Sequence, residues 1–204
     1  MTIKKLFLVV LLASAVASAA ASAAEQDPEA FVRAVSSDVI ATAKADRAIQ
    51  AGDIDRVLAL VESKVMPHVD FAAATRSAVG PKWREATTDQ RDRLQAEFKA
   101  LLMRLYAGAL TQIRDQTIEV VKTQTVPDSG RALVRSEVRG KGEPLKLDYS
   151  LDRIDGDWRI VDVSVAGVWL ISSYRAQFGQ ELGKGGIEGL IRALAERNKA
   201  AATR

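Results

Sequence analysis

Cysteine is absent from this chain. That excludes disulfide staples, thiolate chemistry and every Cys-based metal site. There is a single histidine, His68, in Met66-Pro67-His68-Val69-Asp70-Phe71. A Ser-His-Asp triad would have to use it, no nucleophile elbow accompanies it, and it has no visible metal-ligand partners. A structural role is the better reading. Aromatic residues make up only 5% of the chain. They do not alternate with basic residues, so nothing supports nucleic-acid binding. After the first apolar run, no second one is long enough to span a bilayer.

The N-terminus has its own pattern. Lys4 and Lys5 precede an apolar stretch from Leu6 to Leu12, and small residues run from Ala13 to Ala24. Ala21-Ser22-Ala23 and Ser22-Ala23-Ala24 both fit a small-x-small cleavage site. Residues 1–24 therefore read as a secretory signal peptide, and residues 25–204 as one domain. Removing Lys4 and Lys5 from the 29 basic residues leaves 27 against 26 acidic ones, so a precursor of +3 becomes nearly neutral. An exported chain without cysteine suits a periplasm.

Helical patterns fill the first half. Phe31, Val35 and Val39 mark a first helix to about Ala51. Asp53 caps a second, carrying Val57, Leu58, Val61 and Val65, which Pro67 stops. Asp70 caps a third, from Phe71 to about Val79. Thr87 and Gln90 form a capping box for the clearest helix, whose apolar stripe runs from Leu94 to Ala109. The period then changes to two. Ile118 to Val126, Arg131 to Arg139, the alternating Leu145 to Leu151 segment and Trp158 to Val165 read as four strands. Pro127 to Gly130 and Asp155-Gly156 read as turns. Gly183, Gly185 and Gly186 break the last helical region. The order predicts an α+β fold, with helices packed on a curved four-stranded antiparallel sheet that encloses an apolar pocket.

Other constellations have plainer explanations. Asp152, Asp155 and Asp157 flank a hairpin glycine without EF-hand spacing. Gly179 to Gly185 lacks the spacing and the Ser or Thr of a phosphate loop. Arg131, Arg135 and Arg139 share a strand face, either solvated or a docking patch for anionic lipid or an acidic partner. His68 and Asp148 are the one candidate acid-base pair of an enzyme, and alternation puts Asp148 opposite Tyr149.

Arg159 to Phe178 is the most informative stretch. Val161, Val163 and Val165 recur at period two, Gly167 breaks that period, and an apolar helix is expected from Val168 through Tyr174 and Phe178. A strand leading into an apolar helix folds the helix back over the sheet, which is one way to wall an apolar cavity.

Four segments together resemble the MlaC family of periplasmic phospholipid carriers, also known as Ttg2-type toluene-tolerance proteins. They are Val65 to Phe71 (VMPHVDF), Val79 to Thr87 (VGPKWREAT), Gln90 to Tyr106 (QRDRLQAEFKALLMRLY) and Asp157 to Phe178 (DWRIVDVSVAGVWLISSYRAQF). Trp169 departs from the Ser usual in that family, and Thr88 from a common Pro. The resemblance implies an NTF2-like body with a deep apolar pocket, no catalysis and no cofactor beyond a diacyl phospholipid cargo. It implies a monomer that shuttles lipid between an outer-membrane lipoprotein complex and an inner-membrane ABC transporter carrying an MCE-type ring. The residues expected to line the pocket are Leu102, Tyr106, Tyr149, Val163, Val168, Trp169 and Tyr174. A hopanoid-linked branch of the same family, an NTF2-like small-molecule enzyme and a structural adaptor of the envelope are the alternatives.

Overall fold

The computed structural model describes residues 27–202, and the expected signal peptide lies outside them. Helix α1 (Pro28–Ala45) begins where Asp27 accepts the backbone N–H groups of Glu29 and Ala30. The first helix was expected to run to about Ala51, but it stops at Asp46. The Asp46 backbone is extended, and its carboxylate takes the N–H groups of Ala48 and Ile49 to start a separate short helix α2 (Arg47–Gln50). Asp53 caps α3 (Ile54–Lys64) and Asp70 caps α4 (Phe71–Val79), as the sequence predicts. Helix α5 (Thr88–Leu110) carries the Thr87–Gln90 capping box with both bonds made.

The sheet has five antiparallel strands in chain order: β1 (Thr117–Val126), β2 (Arg131–Arg139), β3 (Leu145–Ile154), β4 (Asp157–Val165) and β5 (Val168–Trp169). Four were expected. The fifth forms because Ala166 and Gly167 both take positive φ, 52° and 86°, and turn the chain tightly. Val168 and Trp169 then pair with Val165 and Ser164. These two residues are therefore strand, not the start of a helix, and α6 (Leu170–Ala202) follows them. Gly185 and Gly186 interrupt α6, whereas Gly183, expected to break it, stays helical.

Two strands carry an extra residue. Pairing skips Val121 in β1 and Val161 in β4. Such bulges bend a strand and change which residues face inward. Because of the second, Ile160 and Val163 share one face of β4, opposite Leu151 and Tyr149 of β3. Val161 thus falls out of the period-two series that it begins in the sequence.

The buried apolar residues form three separate clusters. One joins α4, α5 and α6 around Phe98, Tyr174 and Phe178. A second joins Phe31 and Val32 of α1 to the sheet through Val134, Tyr149, Leu151, Trp158 and Ile160. A third joins α1, α2, α3 and the end of α5 around Val39, Ile49, Val57 and Ala107. Helix α5 packs mainly on α3, α4 and α6 rather than on the sheet.

Candidate functional site

The inner face of the sheet is sealed at one end and open at the other. In β3, Leu151 and Tyr149 are buried, Leu147 is half-buried and Leu145 is exposed. In β4, Trp158 and Ile160 are buried, and Val163 and Val165 are half-buried. Val168, opposite Val165 in β5, is 55% exposed. Phe31 and Val32 cover the sealed end. There the Tyr149 hydroxyl and the Ser36 hydroxyl lie 2.9 Å apart, both buried. Burial pushes the Tyr149 phenol up to about 12, against the smaller opposing effect of Ser36.

Helix α5 shows a similar change. Leu94, Phe98 and Leu101 are buried against α4 and α6, with the Phe98 ring 5.0 Å from those of Tyr174 and Phe178. One turn on, Leu102 is half-buried, Leu105 is 57% exposed and Tyr106 is 38% exposed. Burial raises the Tyr174 phenol, and Tyr106 adds to that shift.

The seven residues expected to line a pocket fall into groups. Tyr149 and Val163 are cross-strand partners on the inner face, and Val168 shares that face. Leu102 and Tyr174 belong to the helical cluster, and Tyr106 lies one turn beyond Leu102 on α5. Trp169 stands apart: its partner is Ser164, so the register sets it on the sheet face of Asp148 and Arg135, away from Val163 and Val168. Leu105, Leu145, Leu147 and Val165 were not singled out from the sequence. Alternation with the tyrosine and valine already chosen was the signal that could have found the three strand residues.

Helix α6 is held to the sheet by a carboxylate. The Asp162 Oδ1 accepts the N–H groups of Ile171 at 3.0 Å and of Val163 at 2.8 Å. Continuing the β4–β5 register would place Ile171 opposite Asp162. The chain turns helical there, and the side chain takes an N–H that neither a ladder nor the first helical turn would satisfy. Burial raises the Asp162 carboxyl above its ordinary value, while the two backbone N–H groups act to lower it.

The polar candidates resolve simply. His68 packs edge-on against Phe31, with ring centroids 5.7 Å apart. Asp148 lies between Arg135 and Ser164 on the face opposite Tyr149. Arg131 pairs with Asp152, and Arg139 with Glu119 and Glu137, so much of the arginine strand face is neutralised by neighbours. Among the described residues, no group of three or more His, Cys, Asp or Glu could hold a metal ion, and no helix is long and apolar enough to cross a membrane. Two surface depressions, of about 380 Å³ along α1 and about 280 Å³ beside Trp83, are lined by none of the seven expected residues.

Known proteins resemble this chain. A phospholipid-binding protein from Ralstonia solanacearum, solved in complex with a phospholipid, superposes with a TM-score of 0.83 at 38% sequence identity, covering 86% of this chain and 99% of that one. The toluene tolerance protein ttg2D of Pseudomonas putida is 28% identical over 80% of this chain and 76% of its own length. The intermembrane phospholipid transport system binding protein MlaC of Haemophilus influenzae is 22% identical over 82% of this chain and 80% of its own. The MlaC protein family model matches residues 33–196. On that match, spanning both the helical clusters and the whole sheet, the chain belongs to the MlaC protein family.

Proposed function

We propose that this protein binds a diacyl phospholipid and carries it through the periplasm between outer-membrane and inner-membrane complexes. In this role it would help to maintain the lipid asymmetry of the outer membrane. One observation carries the reading: the apolar inner face of β3, β4 and β5 loses its cover from Leu151 and Ile160 toward Leu145 and Val168. A contiguous uncovered apolar face, unlike a scattered exposed side chain, marks a binding surface. The family and the phospholipid-bound relative from Ralstonia solanacearum point to the same ligand.

Hydrocarbon occupies the space bounded by that face and by Leu102, Leu105 and Tyr106 of α5. The body is read as NTF2-like, with Tyr149 and Val163 at the depth of the site and Tyr106, Val168 and Tyr174 toward its opening. A lipid with about 30 chain methylenes, at ~0.8 kcal/mol each, resists entry into water by on the order of 24 kcal/mol. A carrier must offset most of that without exceeding the bilayer, or it would not release its cargo. Separate clusters suit this demand, since the cluster of α4, α5 and α6 can shift relative to the α1–sheet cluster without either being broken. The protein itself forms and breaks no covalent bond in this role.

The experiment is extraction of the purified protein with organic solvent followed by mass spectrometry. Phospholipid at close to one molecule per chain supports the reading. A lipid-free protein that also takes up none from vesicles contradicts it.

A further inference from the structure

A second concave feature lies away from the apolar face. The recess of about 280 Å³ is lined by Arg76, Ser77, Gly80, Pro81, Trp83, Arg84 and Arg175. It forms where the end of α4, the 3-10 turn Gly80–Glu85 and the second turn of α6 meet. We propose that this recess is a docking site for a carboxylate-bearing segment of a partner protein.

The argument starts from charge. Arg76, Arg84 and Arg175 all border the recess, and among the described residues none of their guanidinium groups has a carboxylate partner or a hydrogen bond. The nearby acidic residue Glu85 is taken by Lys82, at 2.8 Å. The contrast with the β2 face is direct, since there Arg131 and Arg139 are paired within the chain. With 27 basic against 26 acidic residues after residue 24, overall charge does not produce this concentration. It is local, as a specific anion site requires.

The floor of the recess is fixed. The Arg91 guanidinium lies 5.4 Å from the centre of the Trp83 ring and donates to the Trp83 carbonyl at 3.2 Å. The Arg175 guanidinium rests over Gly80, where a Cβ would sit 3.6 Å from Nη2. Gly80 holds φ at +72°, so the turn that brings Arg76 toward Arg84 favours glycine. Planar guanidinium groups match carboxylates in paired hydrogen bonds.

Shape selects the partner. A bilayer is met by protruding apolar and basic side chains, but here Trp83 is half-buried and the surface is concave. A chain carrying Asp or Glu side chains fits a recess of this size. The site adds a partner surface to the proposed carrier, and none of its lining residues is among those placed against the lipid. Arg175 directly follows Tyr174, so the recess and the aromatic cluster share one helix.

The test uses the purified protein with a fluorescein-labelled peptide of alternating Gly, Asp and Glu, and a matched Gly, Asn and Gln peptide. The acidic peptide is expected to bind at low salt and the neutral one not to bind. Arg84→Gln alone should weaken binding. Joint replacement of Arg76, Arg84 and Arg175 by Gln should raise Kd by about tenfold or more. Arg135→Gln on the sheet should change nothing. Equal weakening by Arg135→Gln, or no effect of the triple change, overturns the site. Binding of phosphatidylglycerol vesicles through the same arginines without peptide binding makes the occupant a membrane and overturns the proposal. So does inorganic phosphate binding as tightly as the peptide. Lipid content is measured in every variant and should match the parent, which separates failure of docking from failure of lipid binding.

Discussion

The Asp162 carboxylate and the Ile171 backbone N–H, 3.0 Å apart, fix the point at which the sheet ends and α6 begins. Asp162→Ala leaves that N–H without its partner and should cost about 1 kcal/mol, seen as a lower urea midpoint at unchanged slope. Asp162→Asn keeps an acceptor and removes the charge. The folded-state value of Asp162 is raised by burial, so the folded protein binds the proton more readily than the unfolded chain. Stability contributed by this group therefore falls as pH rises through the interval between the ordinary carboxylate value and the raised one. Asp162→Asn should be at least as stable as the parent at neutral pH and lose that advantage as the pH is lowered through the interval. An advantage that grows on acidification contradicts this.

Ser36 and Tyr149 satisfy each other inside an apolar cluster. Tyr149→Phe should cost about 1–3 kcal/mol, because the Ser36 hydroxyl stays buried without that partner. Adding Ser36→Ala to Tyr149→Phe should recover part of the loss, and a double-mutant cycle by chemical denaturation measures the coupling. The raised Tyr149 value gives a second readout. Protein stability should decline as pH climbs from the ordinary tyrosine value near 10 toward about 12, and Tyr149→Phe should abolish that component.

Phe98 touches the rings of Phe71, Tyr174 and Phe178 at 5.0–5.6 Å and is fully buried. Phe98→Ala should cost about 3–5 kcal/mol, and Phe98→Leu clearly less. Thermal melts followed by circular dichroism check the order. A small loss for the alanine variant would mean that the helical cluster is looser than its ring contacts indicate.

Val163 is half-buried beside Tyr149 at the boundary between the covered and uncovered parts of the sheet. Val163→Trp should lower bound phospholipid several-fold while the fold survives, with ~1–3 kcal/mol lost to overpacking. Trp169→Ala, on the other face, should leave lipid content close to normal. Mass spectrometry of extracts from both variants gives the comparison. Equal loss in the two would remove the reason for placing the acyl chains on the inner face.

Much of the framework was legible in the chain. Asp53, Asp70 and the Thr87–Gln90 box fix helix starts through local hydrogen bonds that a short window of sequence contains. β2 is found at Arg131–Arg139 as expected. The misses have local causes too. Asp46 ended α1 because a mid-pattern aspartate can cap a new helix, and apolar periodicity does not report that. Strand β5 depends on Ala166 at positive φ, a conformation that an alanine does not announce. The Val161 bulge decides which valines of β4 face inward, and it depends on pairing with β3. The recess at Trp83 was invisible for a different reason: Arg76 and Arg84 are separated from Arg175 by nearly half of the chain, and the packing of α4 and the following 3-10 turn on α6 joins them.

The placement of the hydrocarbon is tested most directly by a crystal structure of the protein loaded with phospholipid. Acyl-chain density should lie between Leu102 and Tyr106 of α5 and the Leu147, Val163 and Val168 face of the sheet, with the three clusters preserved. Density elsewhere, or α5 packed directly on that face with the lipid outside it, would contradict the account.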